Sequence, residues 1–511
     1  MSSATQSAQS PVLRLHPRDN VGVALRDLER SDEAEGLRPL GEIPAGHKLA
    51  LSAIEAGQPV LKFGQIIGFA EGAIQRGEHV HVHNCKFAQF DRETEIGRDY
   101  RATELVPEAE RATFQGIVRR DGRVATRNYI GVMTTVNCSA TVARAIVERV
   151  RQRVLPSFPN VDDVVAFTHG DGCAIGSSGE TIDTLRRTMT GYLKHPNMSG
   201  MLVLGLGCET NQGTGLLEHA RLEIGPNLKY LTIQGAGGSQ RALDQGIAAL
   251  TEMLPEANAV KRETVPAKHL IVGLQCGGSD GYSGISANPA LGAAADLLVR
   301  HGGTPILSET PEIYGAEQLL LRRAASPQVA AKLKDCIRWW EEHVRATGGS
   351  MDNNPSTGNK RGGLTTILEK SLGAVAKGGT SGLMDVYRYA EPITTHGFVF
   401  MDSPGYDPAS VTGQVASGAN LICFTTGRGS VFGCKPAPSL KLSTNTALYE
   451  RMPDDIDIDC GVVLDKGASI QDLGRSIFQR LLEVASGSQT KSEAFGFGDN
   501  EFVPWRIGAL M

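Results

Sequence analysis

The sequence predicts an α/β protein with a mostly parallel sheet, preceded by a small β-rich module. From Gly116 onward, short β-branched or aliphatic runs alternate with segments whose apolar residues recur at helical spacing, the signature of strand–crossover–strand units. Four of the runs break into Gly-rich tips: VVAFTHGDGC ending at Cys173, MLVLGLGCETN around Cys208 and Glu209, LIVGLQCGGSDG around Cys276 and Asp280, and LICFTTGRG ending near Arg428. Apolar runs of this kind read as buried parallel strands, and ligands of open α/β sheets gather beyond the carboxyl ends of such strands. The four tips are therefore expected to converge on one cleft, as in an enzyme.

Taken in order, residues 12–84 alternate short extended runs (VLRLHPRDNVGVAL, HKLALSAI, VLKFGQIIGFA, EHVHVHN) with Gly and Pro punctuation, which predicts a small β module. Residues 85–115 are charged and without sustained periodicity, and read as a linker. Helices are expected at 139–153, 240–254, 287–301, 315–346 with a break near Pro327, 363–376 and 470–486. The α/β part divides in this reading into a first lobe, 116–390, and a second lobe, 391–511, of the same architecture.

Composition narrows the function. Across 511 residues, 51 Lys and Arg stand against 56 Asp and Glu, a net charge of -5, so no basic nucleic-acid footprint is present. No apolar stretch reaches the roughly 18 residues of a membrane span, and MSSATQSAQSP lacks the apolar core of a signal peptide; a cytoplasmic protein without nucleic-acid or membrane partners is expected. Nine cysteines, an odd count without close spacing, do not make a disulfide framework and read as buried or ligating thiols. Neither GxGxxG nor a P-loop occurs in its required context, and no GxSxG elbow is found. Homo-oligomerisation is the default expectation for a large enzyme.

Several constellations carry chemistry, each with a plainer alternative. Cys138, Cys173, Cys208 and Cys276 all lie at or past strand ends, where thiols can meet as soft metal ligands; each alone reads equally as a small buried hydrophobe. His169 shares a tip with Cys173 and is a further iron ligand or base in this reading. His79, His81 and His83 fall on one face of an expected strand, since side chains alternate with period two, and neighbouring imidazoles chelate a divalent ion; a solvated edge strand would look the same. His16 and His47 belong to the same module. Ser279 and Asp280, before a helix, suit an anion at a helix N-terminus or simple N-capping. Asn359 and Lys360 sit in a turn, and Arg428 offers a planar fork to a carboxylate. The inventory points to a small anionic substrate and a metal.

These motifs together resemble the altronate and galactarate dehydratases, a family of sugar-acid hydro-lyases, from His16 to about residue 490. The carrying motifs are HxxDNVxVAL, GHKxAL, KFGxxIGxA, DGRVATRN, GLGCExNQ, CGGSDGxSGISANPxxG, SETPEIYGAEQLL, GNKRGGLTT with EKSLG, and FTTGRG. The resemblance implies a β-clip module, the SAF domain, ahead of a large dehydratase domain. It implies dehydration of a sugar acid to a 2-keto-3-deoxy acid, with Fe2+ or Mn2+ as cofactor. GEHVHVHN and PEIYGAEQLL are similar to altronate-type members, which favours altronate over galactarate. The tip THGDGC departs from the family's pattern at Gly170 and Asp171. On this basis His16, His47, His79, His81 and His83 are expected to supply metal ligands or the base. His47, Lys48, Asp280 and Glu209 are expected at the catalytic centre, Asp280 and Glu209 as general acid or metal ligand; Lys48 or Lys62, Lys360 and Arg428 are expected to pair with the substrate carboxylate, with Ser279 and Asn359 also at the substrate. A labile iron–sulfur cluster on Cys138, Cys173, Cys208 and Cys276 is the alternative cofactor. Sulfolactate sulfo-lyases resemble the same large domain but usually carry the SAF module on a separate chain.

Overall fold

A computed structural model describes residues 10–34, 36–90 and 95–508. The amino-terminal module has seven short strands: β1 (Val12–Leu13), β2 (Val21–Ala24), β3 (Lys48–Ala50), β4 (Pro59–Lys62), β5 (Gln65–Ala70), β6 (His79–Val80) and β7 (Cys85–Lys86). They form two sheets, β1-β2-β3-β6 and β4-β5-β7, antiparallel throughout. The expected long histidine strand is cut to two residues. Asn84 accepts from the His81 amide at 2.9 Å and donates to the His79 carbonyl at 3.0 Å, so an Asx-type turn competes successfully with strand pairing. The expected linker is also shorter and less free than its composition suggests. Cys85–Lys86 pairs with β5, and amides of Gly97, Asp99 and Val106 donate to carbonyls of Leu321, Arg322 and Arg300.

Next come β8 (Thr113–Val118), β9 (Val124–Ala125), β10 (Tyr129–Thr134), β11 (Asp163–Phe167), β12 (Met198–Gly205), β13 (Leu228–Thr232) and β14 (Glu263–Pro266). Strands β10 to β13 make a parallel sheet in the order β11-β10-β12-β13, while β14-β8-β9 is a small antiparallel sheet beside it. Helices α1 (Ala140–Arg153), α2 (Glu180–Leu193), α3 (Gly213–Ala220) and α4 (Ser239–Asn258) are the crossovers. Ile146, Val147 and Val150 of α1 and Leu250 and Leu254 of α4 pack with Ile130, Val132 and Leu202 on one face.

The third unit is a seven-stranded parallel sheet. Its strands are β15 (Ile271–Cys276), β16 (Thr304–Ser308), β17 (Asp385–Tyr387), β18 (Val399–Met401), β19 (Leu421–Thr426), β20 (Ser439–Ser443) and β21 (Ile458–Asp459). The order is β17-β18-β16-β15-β19-β20-β21. The chain winds outward from β15 to one side and then returns to β19 on the other, so the topological switch point lies between β15 and β19, where ligands of such sheets bind. Helices α5 (Ala287–Arg300), α6 (Thr310–Ile313), α7 (Glu317–Leu321), α8 (Pro327–Ala346), α9 (Thr357–Arg361), α10 (Ile367–Val375) and α11 (Asp407–Ala416), the helix Ile470–Ala485 and three short helices, Thr446–Arg451, Val462–Asp465 and Lys491–Ala494, belong to the unit. The expected break near Pro327 is the start of α8, with Ser326 accepting from the Val329 amide as N-cap.

The expected division at residue 390 is corrected: β17 and β18, on either side of it, pair with each other. The change of sheet falls between β13 and β15 instead. Nor are the two parallel sheets independent lobes. Met133, Phe167 and Tyr192 share one core with Met401, Val411 and Phe424, and a Cβ on Gly191 of α2 would lie 2.1 Å from the Ala416 carbonyl of α11. Among the described residues no helix is long and apolar enough to cross a membrane.

Candidate functional site

The amino-terminal module docks on the third unit through glycine. A Cβ on Gly281 would sit 2.0 Å from the Gly46 carbonyl oxygen, and one on Gly363, at φ +103°, would sit 2.3 Å from it. Backbone therefore meets backbone at this seam, which only glycine permits. Tyr282 Oη donates to the Ala24 carbonyl at 2.8 Å.

Across the seam lies a buried charged triad. Lys48 Nζ donates to Glu369 Oε2 at 2.9 Å and Oε1 at 3.1 Å, and Lys62 Nζ to Oε1 at 2.9 Å. All three side chains are at most 2% exposed. Lys48 also donates to the Gly363 carbonyl and Lys62 to that of Gly281, while Glu369 accepts from the amide and hydroxyl of Thr365. Burial would push the Glu369 carboxyl up, but the two ammoniums hold it well below the usual range. Burial lowers Lys48, with Glu369 opposing. Two cations against one anion leave one positive charge uncompensated, a setting that favours an anionic ligand.

Beside the triad, His47, His79 and His81 each present one nitrogen within 4.8 Å of the others. His47 Nε2 lies 3.2 Å from the Arg361 carbonyl. A carbonyl only accepts, so Nε2 carries the proton and the Nδ1 lone pair faces His79 Nε2 at 3.0 Å. A backbone carbonyl fixing the outer nitrogen is how a metal-binding imidazole is usually oriented. His81 Nδ1 is buried without a hydrogen-bond partner. Burial, then the charges of neighbouring groups, push His79 and His81 down to about 3, and burial lowers His47, so the imidazoles are neutral, as ligands must be. Imidazole donors of this kind suit iron, zinc, copper or nickel.

The remaining expected site residues divide. Asp280, at the switch point, accepts from Thr444, Asn445, Ser283 and the Tyr282 amide; a Cβ on Gly427 would lie 2.1 Å from its carboxyl carbon. It ties the tips of β15, β19 and β20 together, which leaves its oxygens fully engaged. Asn359 closes a capping box with Ser356 and donates to the Ser279 carbonyl. Lys360 is half-buried and Arg428 exposed. His16 packs on Gly64 and His83 is exposed; neither joins the histidine trio.

Two further corrections follow from the sheet order. The four tips do not share a cleft: those of Cys173 and Cys208 belong to the second sheet, those of Cys276 and Arg428 to the third. Glu209 sits with the former, bound by Thr135 Oγ1 at 2.5 Å and the Gly207 amide at 2.6 Å. His169 is no free ligand, because Nε2 meets the Thr134 carbonyl and Nδ1 accepts from the Asp171 amide.

The sequence reading missed Glu369 and a second buried group. Cys276, Glu309 and Glu312 bring donors within 4.8 Å of one another, but Lys377 Nζ reaches Cys276 Sγ at 2.9 Å and Lys370 Nζ reaches Glu312 at 2.6 Å. Ammoniums already stand where a cation would. Burial and Glu312 hold the Glu309 carboxyl well up, whereas Lys370 and Lys377 outweigh burial and lower Glu312. The available signal was a Glu–Lys pair, Glu369–Lys370, inside the otherwise apolar α10.

A cavity of about 530 Å³ lies between the second and third units and is lined by Ile271 and Thr304. These begin β15 and β16, so it opens at the amino ends of the strands, away from the switch point.

Comparison with known proteins matches residues 10–88 to an altronate/galactarate dehydratase SAF domain, residues 116–258 to the second domain of D-galactarate dehydratase/altronate hydrolase, and residues 267–510 to the C-terminal domain of D-galactarate/altronate dehydratase. An altronate dehydratase of Bacillus subtilis is 35% identical over 489 residues, covering 95% of this chain and 97% of its own. The L-threo-forming galactarate dehydratase of Escherichia coli is 34% identical, covering 95% and 94%. The altronate dehydratase of Escherichia coli is 33% identical, covering 95% and 97%.

Proposed function

The chain belongs to the altronate/galactarate dehydratase family and is a hydro-lyase, and from that premise we propose that it dehydrates altronate to a 2-keto-3-deoxy acid with Fe2+ or Mn2+ held by His47, His79 and His81. The observation that carries this reading is the meeting, at one domain seam, of a neutral histidine trio with a buried lysine pair bearing one uncompensated positive charge. A divalent ion held by His47, His79 and His81 would supply Lewis-acid stabilisation of negative charge on the substrate. The net charge of the triad favours the substrate carboxylate. Lys48 donates to the Gly363 carbonyl and to both oxygens of Glu369, which takes all three protons of an ammonium, so in this reading it stays charged and pairs with the substrate carboxylate while Lys62 stays on Glu369. The cavity between Lys62, Asp280 and Glu369 holds only about 10 Å³, room for about one water, so a six-carbon acid reaches the lysines when the seam at Gly46 opens. Altronate is preferred to galactarate because the histidine-bearing turn is the altronate-like feature of the sequence.

The test is an anaerobic assay of the full chain with added Fe2+ or Mn2+, following 2-keto-3-deoxy acid from altronate and from galactarate. Turnover of altronate in preference to galactarate is expected. Galactarate preference would overturn the substrate, and silence on both acids in folded, metal-loaded protein would overturn the reaction.

A further inference from the structure

We propose that Cys138, Cys173 and Cys208 hold an iron–sulfur cluster of the four-iron type, with the fourth iron left without a protein thiolate. The inference rests on the second sheet and not on the histidine trio.

The first observation is exposure. Of the nine cysteines, Cys138, Cys173 and Cys208 are exposed, whereas the others are buried or half-buried. The exposed three follow β10, β11 and β12, neighbours in the order β11-β10-β12. In this sheet the chain starts at β10, moves to β11 on one side and returns to β12 on the other, so the tips straddle its own switch point, where a ligand is expected.

The second observation is how the tips are bound together. The Asn137 amide donates to the Asp171 carbonyl at 3.1 Å, and the Asn211 amide to the Gly172 carbonyl at 3.0 Å. Asn211 Nδ2 donates to the Thr135 carbonyl, and Thr135 Oγ1 to Glu209. A Cβ on Gly172, at φ +101°, would lie 2.1 Å from the Thr135 oxygen. Each thiol is thus within three residues of one hydrogen-bonded hub. The three sulfurs are not among the groups whose donors lie within 4.8 Å of one another, which a single ion would need and a multi-iron cluster does not.

Arg144, Arg186 and Arg506 bind Thr168, Asn211 and Asp171 around the tips, which gives the site a cationic rim. Gln234 Nε2 lies 3.4 Å from Cys208 Sγ, an amide donor of the kind that tunes cluster sulfur. Cys276 is not a fourth ligand: it ends β15 of the other sheet, buried against Lys377 and Glu312. The open iron would take a hydroxyl- or carboxylate-bearing anion as a Lewis acid.

The full chain, produced anaerobically and supplied with ferrous and ferric iron in equal amounts and with sulfide, should carry about four iron and four acid-labile sulfide atoms with broad visible absorption. Cys138→Ala, Cys173→Ala and Cys208→Ala should each lose the sulfide and the absorption while keeping the wild-type circular dichroism. Cys336→Ala and His47→Ala should keep both. Iron bound without labile sulfide would overturn the proposal, as would a cluster surviving in all three cysteine variants or one lost with His47.

Discussion

Glu369→Gln removes one charge and almost no volume from the seam. In the wild-type protein the carboxylate receives Lys48 at 2.9 and 3.1 Å, Lys62 at 2.9 Å, and Thr365 through its amide and hydroxyl at 2.9 and 2.7 Å. The amide of glutamine can replace some of these contacts but none of the charge, leaving two desolvated ammoniums with only neutral acceptors, the amide oxygen and the carbonyls of Gly363 and Gly281. Breaking a buried ion pair by deleting one partner costs about 3–5 kcal/mol. Because Lys48 and Lys62 belong to the amino-terminal module and Glu369 to α10, the cost falls on their docking. At about 1.4 kcal/mol per tenfold, the undocked fraction should rise by about two to three and a half orders of magnitude.

The assay is amide exchange at Lys48–Ala50 together with protease sensitivity of the connecting segment, with turnover measured in parallel. The pH dependence has a definite sign. Glu369 titrates lower folded than unfolded, so its stabilisation is complete above the ordinary glutamate range and is lost as pH falls below about 4. The wild-type advantage over the variant should be full at pH 7 and shrink in acid. Equal exchange and equal protease sensitivity of the two proteins at pH 7 would refute the reasoning, because it would mean that the lysines shed their charge or their burial at no cost.

Other perturbations follow from the same geometry. His79→Ala removes one donor from the trio, and bound Mn2+, measured on the dialysed protein, should fall by more than the roughly 10–100-fold that loss of an outer hydrogen-bond partner costs; unchanged metal content would remove the trio from metal binding. Gly281→Ala places a methyl 2.0 Å from the Gly46 oxygen, an overpacking that should cost about 1–3 kcal/mol and raise KM through poorer docking, whereas wild-type kinetics would show that the seam is loose. Burial, reinforced by Glu312, raises the Asp407 carboxyl to about 7. The folded state therefore binds more protons than the unfolded one between about pH 4 and 7, and stability falls as pH rises through that window. Asp407→Asn should abolish that decline, seen as a Tm difference from wild type that grows between pH 4 and 7; parallel curves would contradict it.

Much of the framework was legible. Helices expected at 139–153, 287–301 and 470–486 occur at Ala140–Arg153, Ala287–Arg300 and Ile470–Ala485, because their apolar residues keep helical spacing over four turns. The histidine positions were legible too, but their geometry was not: His81 reaches His47 because Asn84 turns the chain after Val80, and a period-two pattern carries no sign of that turn. Glu369, Glu309 and Glu312 were hidden for a different reason. A buried carboxylate is recognised by its cationic partner, and Lys48 lies more than 300 residues from Glu369 in sequence, beyond the reach of any local pattern.

The expectation of a single cleft failed because strand signatures do not say which sheet a strand joins. Runs such as MLVLG and LICFTT are equally apolar, and only the hydrogen-bonded order separates them into two sheets. Once separated, the tips sort by donor chemistry. The third sheet and the module docked on it gather imidazole, ammonium and carboxylate groups, which suit a divalent ion and an anionic acid, whereas the second sheet presents its three exposed thiols, which suit iron in sulfide. In each sheet the chain lays strands on one side of its first strand and then crosses to the other, so each has a switch point at its carboxyl edge. The two proposed sites lie on different sheets, so metal and sulfide content in His79→Ala and Cys173→Ala should change independently of each other.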